Sequence, residues 1–251
     1  MKNVLLLALA AASSASTAEP SYERARDLLL KWEKAHTKGT ITYIAGGAGN
    51  TSEANRSNPD RDPHWHRYEF DGRKERLVSR PWKEGEDASK LYSLYQVSVT
   101  DGRKHFDGET LDHVNKVDSK ALLNLYERKD YSGSIGPQNL LIRRDDLRRH
   151  SEWLAEASKV KGFAVSEEAE RIKIQVPSPG GRAVLEIDAG TGKPLRSLFV
   201  GSGPDSITVE YRLGDQKDGT QAVEFSAFKT PDSSQIINRV RMTIIAEEYG
   251  D

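Results

Sequence analysis

Four kinds of stretch in the chain hold residue types that do chemistry. In "DAGTGKPLRS", Asp188 to Ser197, Gly192-Lys193 stands where a phosphate loop would carry it. Such a loop needs G-x-x-x-x-G-K-[ST], because the first Gly opens the backbone nest and the hydroxyl holds magnesium. Here the residue five before Gly192 is Ile187, and Lys193 is followed by Pro194. Proline has no N–H and drives its predecessor away from helical geometry, so no phosphate-binding helix starts there. The flanks alternate instead, with Ala183, Leu185 and Ile187 on one face of one run and Leu195, Ser197 and Phe199 on one face of the next. Asp-x-Gly-x-Gly between two such runs predicts a hairpin.

The other three stretches weaken on inspection. His64 and His66 would leave a strand on the same side, as zinc-binding imidazoles do, but zinc needs a third or fourth ligand. His105 or Asp101 would have to be supplied by strand register, so the pair reads as rim histidines beside Trp65, with no metal expected. "GSIG" (133–136) and "GSGP" (201–204) lack the strand–Ser–helix context of a nucleophile. No nucleophile, general base or cofactor loop is expected, and no enzyme. "IRRDDLRRH" (142–150) offers either an anion site or the solvated face and cap of a helix, and the second reading is favoured.

The first 18 residues have one basic residue, Lys2, then an apolar run from Val4 to Ala12 and small residues at Ser16 and Ala18. That is the pattern of a cleaved export signal, with cleavage expected after Ala18. The run is too short to span a bilayer, so a periplasmic or secreted, non-membrane-spanning chain is expected. It has no Cys, hence no disulfide and no lipid-bearing cysteine. Loss of Lys2 takes the net charge from −1 to −2, and with 30% charged residues there is no basic excess for nucleic acid. Residues 19–251 are expected to form one domain, as a monomer.

The elements that must position these groups follow from periodicity. Tyr22, Ala25, Leu28, Leu29, Trp32 and Ala35 are spaced as one helix face, ending before Gly39. Strands then recur around Asp71-Gly72 and Asp101-Gly102, both hairpin signals. "DSKALLNLYERK" (118–129) and "DDLRRHSEWLAEASKV" (145–160) both read as helices with an Asp N-cap, joined by a Gly-rich loop. The last third returns to strict alternation: Ile172, Ile174, Val176; Ile207, Val209, Tyr211, Leu213; Val240, Met242, Ile244. Their neighbours, Thr208 among them, are assigned to the outer face. The sum is a mainly β (α+β) chain of roughly ten strands with one buried sheet face under helices.

"LEIDAGTGKPLRSLFV" resembles the Asp-x-x-Thr-Gly-x-Pro-Leu hairpin of the periplasmic lipoprotein carrier family, LolA, LolB and their outer membrane lipoprotein-sorting relatives. The match lies on Asp188, Thr191, Gly192, Pro194 and Leu195, with "ITVEYRL" as the next strand. "YEFDGRKERLV" and "VTDGRKHFDG" are similar to the family's strand–Asp-Gly–strand units. The following link, "GDQKDGTQAVEFSAFKTPDSSQ", is longer than in those carriers.

The resemblance implies an incomplete antiparallel β-barrel, a strongly curved sheet with an N-terminal helix and a helical lid insert over 118–160. It further implies an apolar cavity that shields the acyl chains of a lipid or lipoprotein, handed between envelope donor and acceptor proteins, with no cofactor. Tyr43, Tyr68, Phe70, Tyr95, Val97, Val99, Ile174, Leu185, Phe199, Val209, Tyr211 and Met242 are the expected cavity lining. An envelope sensor or interaction module on the same fold is the alternative, and a small-molecule enzyme using the cavity comes last.

Overall fold

A computed structural model describes residues 22–46, 63–72, 74–83, 85–86, 96–100, 105–108, 126–128, 135–144, 148–168, 170–203, 206–230 and 236–250; for 96–100, 105–108 and 126–128 the description is of the backbone. Residues 1–18, expected to be an export signal, Tyr95 and the expected Asp101-Gly102 turn lie outside these residues.

Helix α1 (Tyr22–Ala35) places Ala25 and Leu29 inward on one stripe, as the sequence spacing predicts. Thirteen strands follow, all in one sheet. The first six are β1 (Lys38–Ala45), β2 (His64–Asp71), β3 (Lys74–Pro81), β4 (Gln96–Thr100), β5 (His105–Gly108) and β6 (Tyr126–Arg128). Two short helices come next, α2 (Gln138–Leu141) and α3 (His150–Ala157). Then come β7 (Ala164–Glu168), β8 (Arg171–Ser178), β9 (Gly181–Asp188), β10 (Pro194–Gly201), β11 (Ile207–Asp215), β12 (Gln221–Lys229) and β13 (Ile236–Tyr249).

The strand order is β6-β5-β4-β3-β2-β1-β13-β12-β11-β10-β9-β8-β7, antiparallel throughout. The chain therefore builds outward from the middle, leaves the sheet at one edge, re-enters at the other and works back. Among the described residues the only pairing of strands that are not chain neighbours is β1 with β13. Edges β6 and β7 do not meet, so the sheet is open rather than a closed barrel.

Three of these strands were not foreseen. Tyr126–Arg128, read as helix, pairs with β5. Ala164–Glu168 pairs with β8. The long link after β11 contains β12, whose Val223, Phe225 and Ala227 alternate inward. The helix expected to begin at Asp145 begins at His150, and Arg149 takes an extended conformation at its N-cap. Its cap comes instead from a distant residue, Glu33.

The hairpins hold as expected. Gly72 turns between β2 and β3 at φ +61°, and Gly192 turns between β9 and β10 at φ +77°. In the second turn the Asp188 carboxylate accepts from the N–H groups of Gly190 (3.1 Å) and Thr191 (2.7 Å) and from the Thr191 hydroxyl (2.7 Å). Those bonds, the hydroxyl first, hold its pKa below the usual carboxylate value.

The described residues of 135–157 lie over a single face, from above β10 and β11 across to β3 and, in α3, above β8 and β9. Helix α2 packs against β10 and β11, while Arg143 just beyond it reaches Glu75 on β3 at 2.7 Å. In a flat sheet the six steps from β3 to β10 would span roughly 29 Å. The stretch from Gln138 to Arg143 is only ~9 Å long at helical rise. The sheet curves around this segment, and the crossing lies on its concave side.

Candidate functional site

The concave face can be traced strand by strand from the register. Val165 of β7 stands opposite Ile174, Ile174 opposite Leu185, Leu185 opposite Ser197 and Ser197 opposite Tyr211. The series continues through Phe225 and Val240, and on the neighbouring row through Met242, Ala45 and Tyr43 to His66 and Ser79. Directly opposed residues share a face, so one largely apolar surface runs from β7 to β3.

Nine of the twelve expected lining residues lie on this face. Tyr43, Tyr68, Phe70, Tyr211 and Met242 are buried in one cluster, with Val209 packed at its side and Leu140, Leu141 and Ile142 of the crossing segment above. Ile174 and Leu185 are buried in a second cluster under α1 and α3, with Phe199 beside it. Val97 and Val99 are placed differently. They stand opposite Val78 and Arg76, while the concave positions of β3 are Glu75, Leu77 and Ser79. The phase of β4 against β3 depends on the intervening turn, which alternation within one strand does not fix.

The roof is tied down by polar contacts at each end. Trp32 Nε1–H of α1 donates to the Leu141 carbonyl at 3.0 Å, and His150 Nε2–H donates to that of Leu140 at 2.7 Å. Asn139 Nδ2–H donates to the Tyr211 hydroxyl at 3.3 Å. Arg143, 2% exposed, donates Nε–H and Nη2–H to the two Glu75 oxygens at 2.7 and 3.0 Å and Nη1–H to Asn139 Oδ1 at 2.8 Å. Arg149 reaches the carbonyls of Ile142 (3.1 Å) and Gly72 (2.8 Å). The described part of the "IRRDDLRRH" run, 142–144 and 148–150, is thus no solvated helix face. Arg143 and His150 are buried, because the segment is pressed between α1 and the sheet and its cations find carbonyls and a carboxylate there.

The two histidines occupy the open end of the concave face. His66 is buried, stacked on Tyr43 with ring centroids 4.7 Å apart, and its Nδ1 shares a 2.8 Å hydrogen bond with the Ser79 hydroxyl. Burial, aided by the neighbouring His64, drives its pKa down to about 3. An imidazole that stays neutral to such low pH is a poor base for activating Ser79. Among the described residues no three His, Asp or Glu side chains converge as metal ligands would. Tyr68 is likewise held neutral, its phenol raised by burial and then by Glu75.

The faces of β11 follow its alternation, with Val209 and Tyr211 inward and Thr208 outward, but burial departs from it at the strand end: Thr208 is 3% exposed, its hydroxyl paired with that of Thr230 at 2.5 Å, and Ile207 is 46% exposed. Residues 206–230 form a hairpin whose end closes over the outer side of β11. No protein-family model matches the chain, and no curated protein is significantly similar to it. No helix among the described residues is long and apolar enough to cross a membrane.

Proposed function

We propose that this chain is a non-enzymatic carrier of acyl chains, acting in the periplasm or outside the cell on a lipid or an acylated lipoprotein. The observation that carries the reading is the roofed concave face. A continuous apolar surface spans the sheet, and its cover is one crossing segment held largely by side-chain polar ties. Side chains fill the space beneath the roof at rest, so loading means lifting Leu140, Leu141 and Ile142 away from Tyr43, Tyr68 and Tyr211. An acyl chain then takes their place. Each CH₂ moved from water to that surface contributes ~0.8 kcal/mol, so a fatty chain offsets several roof contacts without any catalytic group. Donor and acceptor proteins of the envelope would supply and receive the cargo.

Native mass spectrometry of detergent-free protein, compared with the denatured chain, tests this directly. A discrete adduct in the phospholipid or acyl-peptide range is expected, and its fragmentation identifies the cargo. A clean apo mass together with no uptake of a fluorescent fatty-acyl probe would overturn the carrier reading.

A further inference from the structure

The convex face carries a feature that an acyl site on the concave side does not use. Across six strands one register row reads Lys173, Glu186, Arg196, Arg212, Glu224 and Arg241. The signs alternate except at a single step, where Arg196 stands directly opposite Arg212. Like charges in that relationship destabilise an antiparallel pair.

The carboxylates nearby are already engaged. Glu186 accepts from Arg171 at 3.4 Å and from Arg196 at 3.1 Å, Glu210 accepts from Arg196 at 2.6 Å, and Glu224 is held by Arg239. Exposed Arg212 makes no ion pair among the described residues. At this step the surface is recessed into a cleft of ≈ 500 Å³, within the range of small-molecule sites. Arg171, Arg196, Arg212 and Arg241 line it with Asp215 and Glu224, and the ion-paired Glu186 and Glu210 offset Arg171 and Arg196, which leaves Arg212 and Arg241 as the cations at the cleft without an ion pair to those two carboxylates.

We propose that this cleft binds a phosphomonoester dianion, with Arg212 and Arg241 as its main contacts and Arg196 held in place behind them by Glu186 and Glu210. Guanidinium forks match phosphate oxygens two at a time, which a point charge does not. A phosphomonoester carries about −1.5 to −2 charges near neutral pH, enough to engage two guanidinium groups at once. Its arrival turns the Arg196–Arg212 repulsion into a shared attraction. The same phosphate chemistry belongs to a free metabolite and to the headgroup of phosphatidic acid.

Calorimetric titration of the mature chain with glycerol 3-phosphate at constant ionic strength reads the first source. Flotation with phosphatidylcholine vesicles, with and without phosphatidic acid, reads the second. Saturable heat supports a soluble ligand, and flotation that needs phosphatidic acid without such heat supports a headgroup. In either case Arg212→Gln is expected to weaken binding about tenfold, the loss of one good charge-assisted contact. The same variant should melt no lower than wild type when no phosphate is present, because it removes a like-charge pair. Arg241→Gln provides a second variant from another strand. Absence of both signals, or equal binding by wild type and both variants, would overturn the proposal. The cleft and the acyl face lie on opposite sides of the sheet, so failure of one test leaves the other standing.

Discussion

The Glu33 carboxylate of α1 caps the N-terminus of α3. It accepts the Ser151 N–H at 2.9 Å and the Ser151 hydroxyl on its second oxygen. The two residues are 118 apart in sequence, and their contact locks α1 to the crossing segment above the β8–β9 cluster. A carboxylate at a helix N-terminus meets unpaired N–H groups and the positive end of the helix dipole. Glu33→Ala is expected to cost about 1 kcal/mol in denaturant unfolding, as loss of a cap does.

The same group sets a pH dependence. Burial raises the Glu33 pKa above its usual 4.5, against the lowering effect of the Ser151 hydrogen bonds. The folded state therefore holds this proton more tightly than the unfolded chain. The associated stability is full below about pH 4.5 and is lost as pH rises through the raised value. Glu33→Gln keeps an acceptor for Ser151 and cannot ionise. Measured by thermal melts from about pH 4 to about pH 7, the wild-type Tm should fall relative to that of Glu33→Gln. A gap that stays constant would mean that Glu33 does not titrate in this range.

Gly192 and Gly72 both turn hairpins at positive φ, but only one is packed. A Cβ on Gly192 would sit 2.3 Å from the Leu28 carbonyl oxygen, whereas one on Gly72 would meet nothing within 4 Å. Gly72→Ala should cost about 1–2 kcal/mol, the strain of a left-handed residue alone. Gly192→Ala should cost about 2 kcal/mol more, because α1 must move off the turn. Chemical denaturation of the two variants gives the comparison.

Arg143 and Glu75 join the roof to β3 as a nearly buried pair. Arg143→Met leaves Glu75 without its partner and should cost about 3–5 kcal/mol. Adding Glu75→Leu is expected to recover much of that loss, since an apolar pair of similar volume needs no desolvated charge. If the roof opens for cargo, stopped-flow uptake of a fluorescent acyl probe will differ between the double variant and wild type, because the polar tie that must break is gone. Equal rates would place the opening elsewhere.

Thr208→Glu would bury a carboxylate beside Thr230 and should cost about 1–3 kcal/mol, by the desolvation of an unpaired polar group. A neutral effect would mean that the outer side of β11 is open at this end. The measurement is a urea melt with Thr208→Val as the volume-matched control.

Alternation made much of the sheet legible. Ile172, Ile174 and Val176, like Val240, Met242 and Ile244, turned inward as their spacing required, since a half-buried strand has only two faces. The Asp188–Gly192 turn was equally plain, because its bonds are local. Contacts made across long sequence distances were not legible. Nothing near Arg143 announces Glu75, 68 residues away, and nothing near Glu33 announces Ser151. A charge run looks solvated until its buried partner is known. Tyr126–Arg128 was lost for a related reason: three residues are too few to show a period, and their strand exists by pairing with β5.

The pairing of β1 with β13 also has a kinetic meaning. Every other strand finds its partner in a chain neighbour, but β1 must wait for the last strand, with Gly39 meeting Tyr249. The two halves of the sheet cannot join until β13 has been made. Closing so long a loop adds entropy that grows only slowly with length, yet it must be met before the central contacts repay it. Slow, late closure of this kind keeps the full chain unfolded for longer than hairpins alone would.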